Sequence, residues 1–177
     1  MTLDYPWKSA PLIGEPIEVS EGIFWFRLPL PMALDHVNVY AVDEGDSWTI
    51  IDTGFWSKKT ISIWLSIVEE YFSNKPISRV IVTHHHPDHV GLAGWFQKEF
   101  KAELWMTRTA WLMARMLRLD YQKIPTEETV NFWRSAGMDE ETLQERVSGK
   151  PFNFADSVYE MPLGFRRIIE GEKIILG

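Results

Sequence analysis

The sequence predicts an α/β fold in which a run of antiparallel strands passes into alternating strand and helix, and three observations predict it. Apolar alternation broken by turn residues recurs from residue 17 to residue 51. A stripe of apolar residues at helical spacing then separates two short β-branched runs, 48–51 and 77–82. Finally, Thr83-His84-His85-His86-Pro87-Asp88-His89 gathers four of the five histidines of the chain directly after the second run, so a potential ligand set stands at a strand's carboxyl end. Open α/β sheets bind their ligands at that end.

Taken in order, residues 1–15 carry prolines and little periodicity and read as an irregular arm whose Trp7 and Leu12 pack on the body. Residues 17–28 read as strand, turn and strand with Gly22 at the turn, and Pro29 and Pro31 end them. A further strand over 36–42, the turn Asp43-Glu44-Gly45-Asp46 and a strand over 48–51 complete an antiparallel meander. Ser57 is placed to cap a helix with Ile61, Trp64, Leu65, Val68 and Phe72 on its buried face. Asn74 and Pro76 close it, residues 77–82 return as a strand, 90–100 as a helix and 102–106 as a strand, giving successive βαβ units. Residues 108–149 read as a helical excursion interrupted at Pro125 and Gly137, with Asp139 capping its last helix. It either packs over the sheet or covers a substrate, with Met113, Met116, Tyr121 and Trp133 as an apolar wall. Short strands over 157–161, 165–169 and 173–176 end the chain.

The histidine stretch has the form HxHxDH, and its chemistry explains its spacing. Imidazole and carboxylate donors suit zinc, iron or manganese, and a catalytic zinc needs several of them plus an open position for water. Extended backbone would project His84 and His86 to one side and His85 to the other. His84 and His86 could then share one metal while Asp88 and His89 serve a second nearby, and His85 is structural. Asp52 ends the strand before Thr53-Gly54. It is either a turn carboxylate or a supporting group that orients the metal-binding histidines, and the adjacent motif favours the second role. His36 reads as a loop or pocket-edge residue.

Composition narrows the remaining classes. A chain of 177 residues fits one domain with a substantial core. It has no cysteine, so a metal must be held by nitrogen and oxygen. The formal charge of −7 argues against a nucleic-acid partner. No basic start precedes an apolar run and no stretch is long enough to span a bilayer, so a cytoplasmic protein with a small-molecule substrate and no membrane partner is expected. There is no Gly-x-Ser-x-Gly turn and no Gly-rich phosphate loop.

His84-x-His86-x-Asp88-His89 after a buried strand, preceded by Ile51-Asp52-Thr53-Gly54 and by Asn38-Val39-Tyr40, resembles the metallo-β-lactamase superfamily. The later stretch from Leu104 to Met116 is similar to hydroxyacylglutathione hydrolases. The resemblance implies an αβ/βα sandwich with metals at one edge. It also implies zinc, as one or two ions, with His84 and His86 on the first and Asp88 and His89 on the second, and Asp52 in support. The activity implied is hydrolysis of an ester, thioester or lactone by metal-activated water, with Asp88 taking part in catalysis. Iron or manganese are alternative metals. The family's further histidines are not found, since none follows His89. Residues 1–177 are therefore expected to form one partial domain, the first half of the sandwich, with 108–149 as a helical cap within it. The chain is expected to be a piece of a longer protein, weakly active or inactive alone. A half-sandwich would expose a sheet face, through which a homodimer is expected. The alternatives are a non-catalytic half-domain acting through partner binding and a mono-iron sulfur dioxygenase.

Overall fold

The computed structural model describes residues 6–72 and 74–177. Seven strands join in sequence order into one sheet. The strands β1 (Ile17–Ser20), β2 (Ile23–Pro29), β3 (His36–Asp43) and β4 (Trp48–Ile51) form the expected antiparallel meander. Gly22, at φ 71°, makes the first turn in a conformation that side-chain-bearing residues rarely adopt. From β4 onward the pairing is parallel, through β5 (Ile77–Ile81), β6 (Glu103–Thr107) and β7 (Arg166–Ile168). Parallel neighbours need crossovers. The first is α1 (Lys58–Tyr71), the second α2 (Pro87–Val90) with α3 (Ala93–Phe100). The third is α4 (Arg108–Leu119), α5 (Glu127–Ser135) and α6 (Glu140–Ser148), followed by a 3-10 turn at Phe154–Asp156. Because β4, β5 and β6 are parallel, Asp52, Thr83 and Thr107 emerge at one edge of the sheet.

Strand register explains the core. Phe26 pairs with Val39, Ala41 with Ile50, Ile50 with Val80 and Val80 with Leu104, which lines fully buried side chains along one face. Trp64 of α1 packs 6.2 Å from Phe26 and 5.0 Å from Phe96 of α3, and Trp48 stacks on Phe72 at 4.5 Å. Two indoles of this core also find acceptors: Trp64 Nε1 donates to the Thr53 carbonyl and Trp48 Nε1 to that of Phe72. An aromatic removed from such a core typically costs about 3–5 kcal/mol. The other face carries the register row Trp25, Tyr40, Ile51, Ile81, Trp105 and Arg166, all half-buried. Arg79 and Arg166 lie over the Trp105 ring at 4.7 and 4.1 Å, and Arg79 donates to the Ile175 carbonyl, so residues beyond β7 return along this face.

Several expectations need correction. Leu65 is 48% exposed, because the buried stripe of α1 is Thr60, Trp64 and Ile67. Leu65 lies about 100° round the helix from Trp64 and further from Ile67. Leu12 is 68% exposed, whereas Trp7 does pack on the body, edge-on to Trp25 at 6.4 Å. The helix expected over 90–100 is two helices. Pro87, pre-organised for a first helical turn, starts α2 early, and the chain breaks at Gly91 and Leu92 before α3 begins. Residues 157–161 form no strand. Their backbone bonds go to the site edge instead: Trp56 N–H donates to the Ser157 carbonyl and Tyr159 N–H to that of Gly91. Residues 173–176 also lie outside any strand. Among the described residues no helix is long and apolar enough to cross a membrane.

Candidate metal centre

The site grows from the backbone of Asp52. This residue follows β4 at φ 61°, a left-handed conformation that Asp tolerates better than most side chains. Its N–H still donates to the Ile81 carbonyl, extending the β4–β5 pairing by one bond while the chain turns. The side chain, 5% exposed, is thereby held against the loop after β5. A buried carboxylate must be satisfied, and Asp52 is. Its Oδ1 accepts from Thr83 N–H at 2.8 Å, and its Oδ2 accepts from the Thr83 hydroxyl at 2.7 Å and from His89 Nδ1 at 2.8 Å.

Thr53 and Gly91 fix the loop from below. The Thr53 N–H and hydroxyl both donate to the His89 carbonyl, and the same hydroxyl oxygen accepts from Leu92 N–H. A Cβ on Gly91 would overlap the carbonyl oxygens of Gly54 and Pro87, so only glycine lets these segments meet. His86 occupies the N-cap position of α2, and its carbonyl accepts from the N–H groups of His89 and Val90.

The donors determine the tautomers. The Thr83 hydroxyl has one proton, directed to Asp52, so its 3.0 Å contact with His84 Nδ1 is made by an N–H of His84. His89 likewise carries its proton on Nδ1, directed to Asp52. In the neutral form both rings therefore keep Nε2 as the free lone pair, the arrangement by which a carboxylate orients metal-binding imidazoles. The ring of His84 stands 4.6 Å from that of His86 and 4.0 Å from that of His89, and Asp88 Oδ2 lies 3.4 Å from His89 Nε2. His85 approaches His86 at 5.2 Å.

Electrostatics divides these histidines. Burial pushes His84 below the usual imidazole value, helped by the neighbouring His89 and His86 and opposed by Asp52 and Asp88. Burial followed by His86 lowers His85 in the same way. For His89 burial is again the largest influence and pulls downward, but the hydrogen bond and charge of Asp52, with the charge of Asp88, outweigh it and leave the pKa raised.

The structure thus brings together His84, His86, Asp88, His89 and Asp52. His36 sits apart from this turn, with Nδ1 2.5 Å from Asp35 and 2.6 Å from Arg27. Of the residues expected to form an apolar wall, Met116 and Tyr121 are half-exposed, and Trp133 lines a cleft of about 520 Å³ against α6 whose lining includes no residue of the histidine turn. Thr83, Thr53 and Gly91 are the contributors that the sequence reading missed. A hydroxyl residue directly before the first histidine and another directly after the aspartate were their available signals.

In kind, the donors suit a divalent metal: three imidazoles and a carboxylate on one turn, two of the rings with Nε2 free. Among the described residues, however, no three His, Asp or Glu side chains close round a common point that could hold an ion.

Comparison with known proteins gives this geometry its context. The family model described as metallo-beta-lactamase superfamily matches residues 32–168. The probable metallo-hydrolase YqjP of Bacillus subtilis (strain 168) is 32% identical over 107 residues, covering 59% of this chain and 33% of its own. The 2,4-dinitroanisole O-demethylase subunit alpha of Nocardioides sp. (strain JS1661) is 32% identical over 115 residues, covering 63% of this chain and 31% of its own. The crystal structure of a beta-lactamase domain protein from Burkholderia ambifaria matches with a TM-score of 0.82 at 30% identity, over 98% of this chain and 50% of that one. The chain spans about a third of the length of the curated relatives it matches. With a family model covering most of the sheet and the whole histidine turn, the chain belongs to the metallo-beta-lactamase superfamily.

Proposed function

We propose that the chain carries the metal-binding edge of a hydrolase that cleaves an ester, thioester or lactone. The observation that supports this most directly is the pair of hydrogen-bond chains converging on Asp52, one from His89 and one from His84 through Thr83. They fix two imidazoles with Nε2 free, which a merely structural histidine turn has no need to do. His84 and His86 would hold one zinc ion, Asp88 and His89 a second. A bound zinc supplies a water of lowered pKa, about 7 in favourable sites, together with charge stabilisation of the developing oxyanion. The residues of the chain contribute orientation: Asp52 holds the proton on Nδ1 of His89, Thr83 relays the same constraint to His84, and Thr53 anchors the turn.

Elemental analysis after zinc loading and dialysis tests this, with expectation of at least one zinc per chain and its loss in His84→Ala and His86→Ala. Retention of negligible metal by the parent chain overturns the reading. Where metal is retained, hydrolysis of an ester, thioester and lactone panel should be abolished by Asp88→Ala. The likeness to hydroxyacylglutathione hydrolases argues for thioesters in that panel, and the O-demethylase relative for an aryl methyl ether.

A second reading is favoured by the absence, among the described residues, of three ligand side chains closing round one point. On this reading the domain binds metal without turnover. Stoichiometric zinc with no activity across the panel selects it.

A further inference from the structure

A cleft of about 280 Å³ lies on the helical side of the sheet, lined by Arg115, Arg118, Leu119, Glu160, Met161 and Leu163. None of these residues belongs to the histidine turn. Arg115 and Arg118 are three residues apart on α4 and so face the cleft together. Arginine is almost always ionised, and a guanidinium offers five donors in a planar fork. Here they are poorly used. No ion pair among the described residues involves either arginine. Arg115 Nη1 reaches the Met161 and Pro162 carbonyls only at 3.5 Å, the limit of a hydrogen bond. Arg118 Nε is buried with no acceptor at all. Buried donors without partners are uncommon, and each calls for an explanation.

The walls are fixed rather than loose. Trp111 stacks on Phe165 at 4.6 Å and donates from Nε1 to the Pro162 carbonyl, holding residues 161–165 against α4, and its ring also lies 5.1 Å from the Arg115 guanidinium. At the rim Leu119 and Leu163 are 78% and 80% exposed, while Met161 is buried at the floor. Two forked cations without counter-ions therefore stand beside an apolar rim, with the exposed Glu160 as the single carboxylate of the lining.

We propose that this cleft binds a small anionic amphiphile, a carboxylate head on Arg115 and Arg118 with an alkyl chain along Leu119, Met161 and Leu163. Carboxylate geometry matches the guanidinium fork. The exposed leucines give the chain its place, which a bare anion would not need. The site is separate from the histidine turn and stands or falls independently of any metal there.

Isothermal titration of the whole chain with sodium octanoate tests it, with acetate, inorganic phosphate and octan-1-ol as comparison probes. Octanoate should bind saturably, and each of the other three at least about tenfold more weakly, since each lacks one half of the recognition. The double variant Arg115→Gln/Arg118→Gln should weaken octanoate at least about tenfold, and Glu160→Gln should tighten it. His86→Ala should leave octanoate binding unchanged, which separates this site from the metal reading. Absent octanoate binding, or phosphate or acetate binding as well as octanoate, overturns the proposal. So does equal affinity in the double arginine variant. Glu160 is exposed, so its substitution folds even where the arginine pair proves structural, and an unaltered octanoate affinity in Glu160→Gln would equally count against the site.

Discussion

The turn that carries the histidines and the helical excursion after β6 are built in opposite ways. In the turn, the bonds that anchor the candidate ligands to the sheet are long-range: Asp52 reaches Thr83 and His89, and Thr53 reaches His89 and Leu92, across 31 to 39 residues of sequence. In the excursion, Thr107, Thr126 and Asp139 each cap their own helix through the residue three positions on. α5 has no buried residue and α6 buries only Leu143. The difference teaches where precision is needed. A site that must hold several donors within hydrogen-bond reach is over-determined by tertiary bonds. A covering element can rely on local propensity and a few contacts, and such regions are drawn from the low end of local stability.

Glycine substitutions break this comparison most sharply. Gly91→Ala places a Cβ against the carbonyls of Gly54 and Pro87 and 2.8 Å from Trp56 N, all backbone atoms that cannot step aside. A loss of about 4 kcal/mol is expected, at the upper end of overpacking effects. Gly137, in the excursion, has φ 84° and nothing within 4 Å of the added methyl. There Gly137→Ala should cost only about 1 kcal/mol, the penalty of the left-handed backbone. Urea unfolding of both variants checks the pair. Equal effects would mean that the two regions are not as different as their packing indicates.

Substitution at Asp52 sharpens the contrast further. Asp52→Ala strands three donors, those of Thr83 N–H, the Thr83 hydroxyl and His89 Nδ1, at a loss of about 3 kcal/mol. Asp52→Asn keeps a residue that tolerates the left-handed conformation and retains one carbonyl acceptor, so it should lose only about 1 kcal/mol, for the donor left facing its NH2 group. It removes the charge that orients His89, however, and zinc affinity measured by competition with a chelator should fall by about 10–100-fold. Asp52→Asn with undiminished zinc affinity would assign Asp52 to the turn alone.

The same division governs what was legible in the sequence. The meander, the parallel units and the cluster of His84, His86, Asp88 and His89 followed from periodicity, turn residues and ligand spacing, all of which are local signals. The caps at Ser57 and Asp139 were equally local. The errors fall where long-range packing decides. A short strand was expected over 157–161, but Ser157 and Tyr159 give their backbone bonds to Trp56 and Gly91 rather than to a sheet neighbour. Leu65 matched the helical period and still faces solvent, because the sheet meets α1 along Thr60, Trp64 and Ile67. Thr83 reads as one more polar residue beside a histidine until the carboxylate 31 residues away is brought to its hydroxyl.

The smallest effect compares two aspartates under acid. The Asp43 carboxyl lies below the ordinary 3.8, first because Lys75 hydrogen-bonds it and then because Gly45 N–H does. Asp139 is lowered by the Thr142 N–H and then by the Thr142 hydroxyl. A carboxyl with a depressed folded pKa stabilises the fold above its unfolded pKa, and the contribution is lost as pH falls through the folded value. Both contributions should therefore be intact near neutrality and disappear between about pH 5 and pH 2. They differ in reach. Asp43 ties the β3–β4 turn to Lys75 across 32 residues, so its protonation should raise amide exchange in both segments together. Asp139 serves α6 alone, and its protonation should release the Thr142 amide while the strands stay protected. Hydrogen exchange followed by NMR over this range distinguishes the two, and simultaneous release of Thr142 and the β3–β4 turn would show that the excursion is coupled to the sheet more tightly than its contacts indicate.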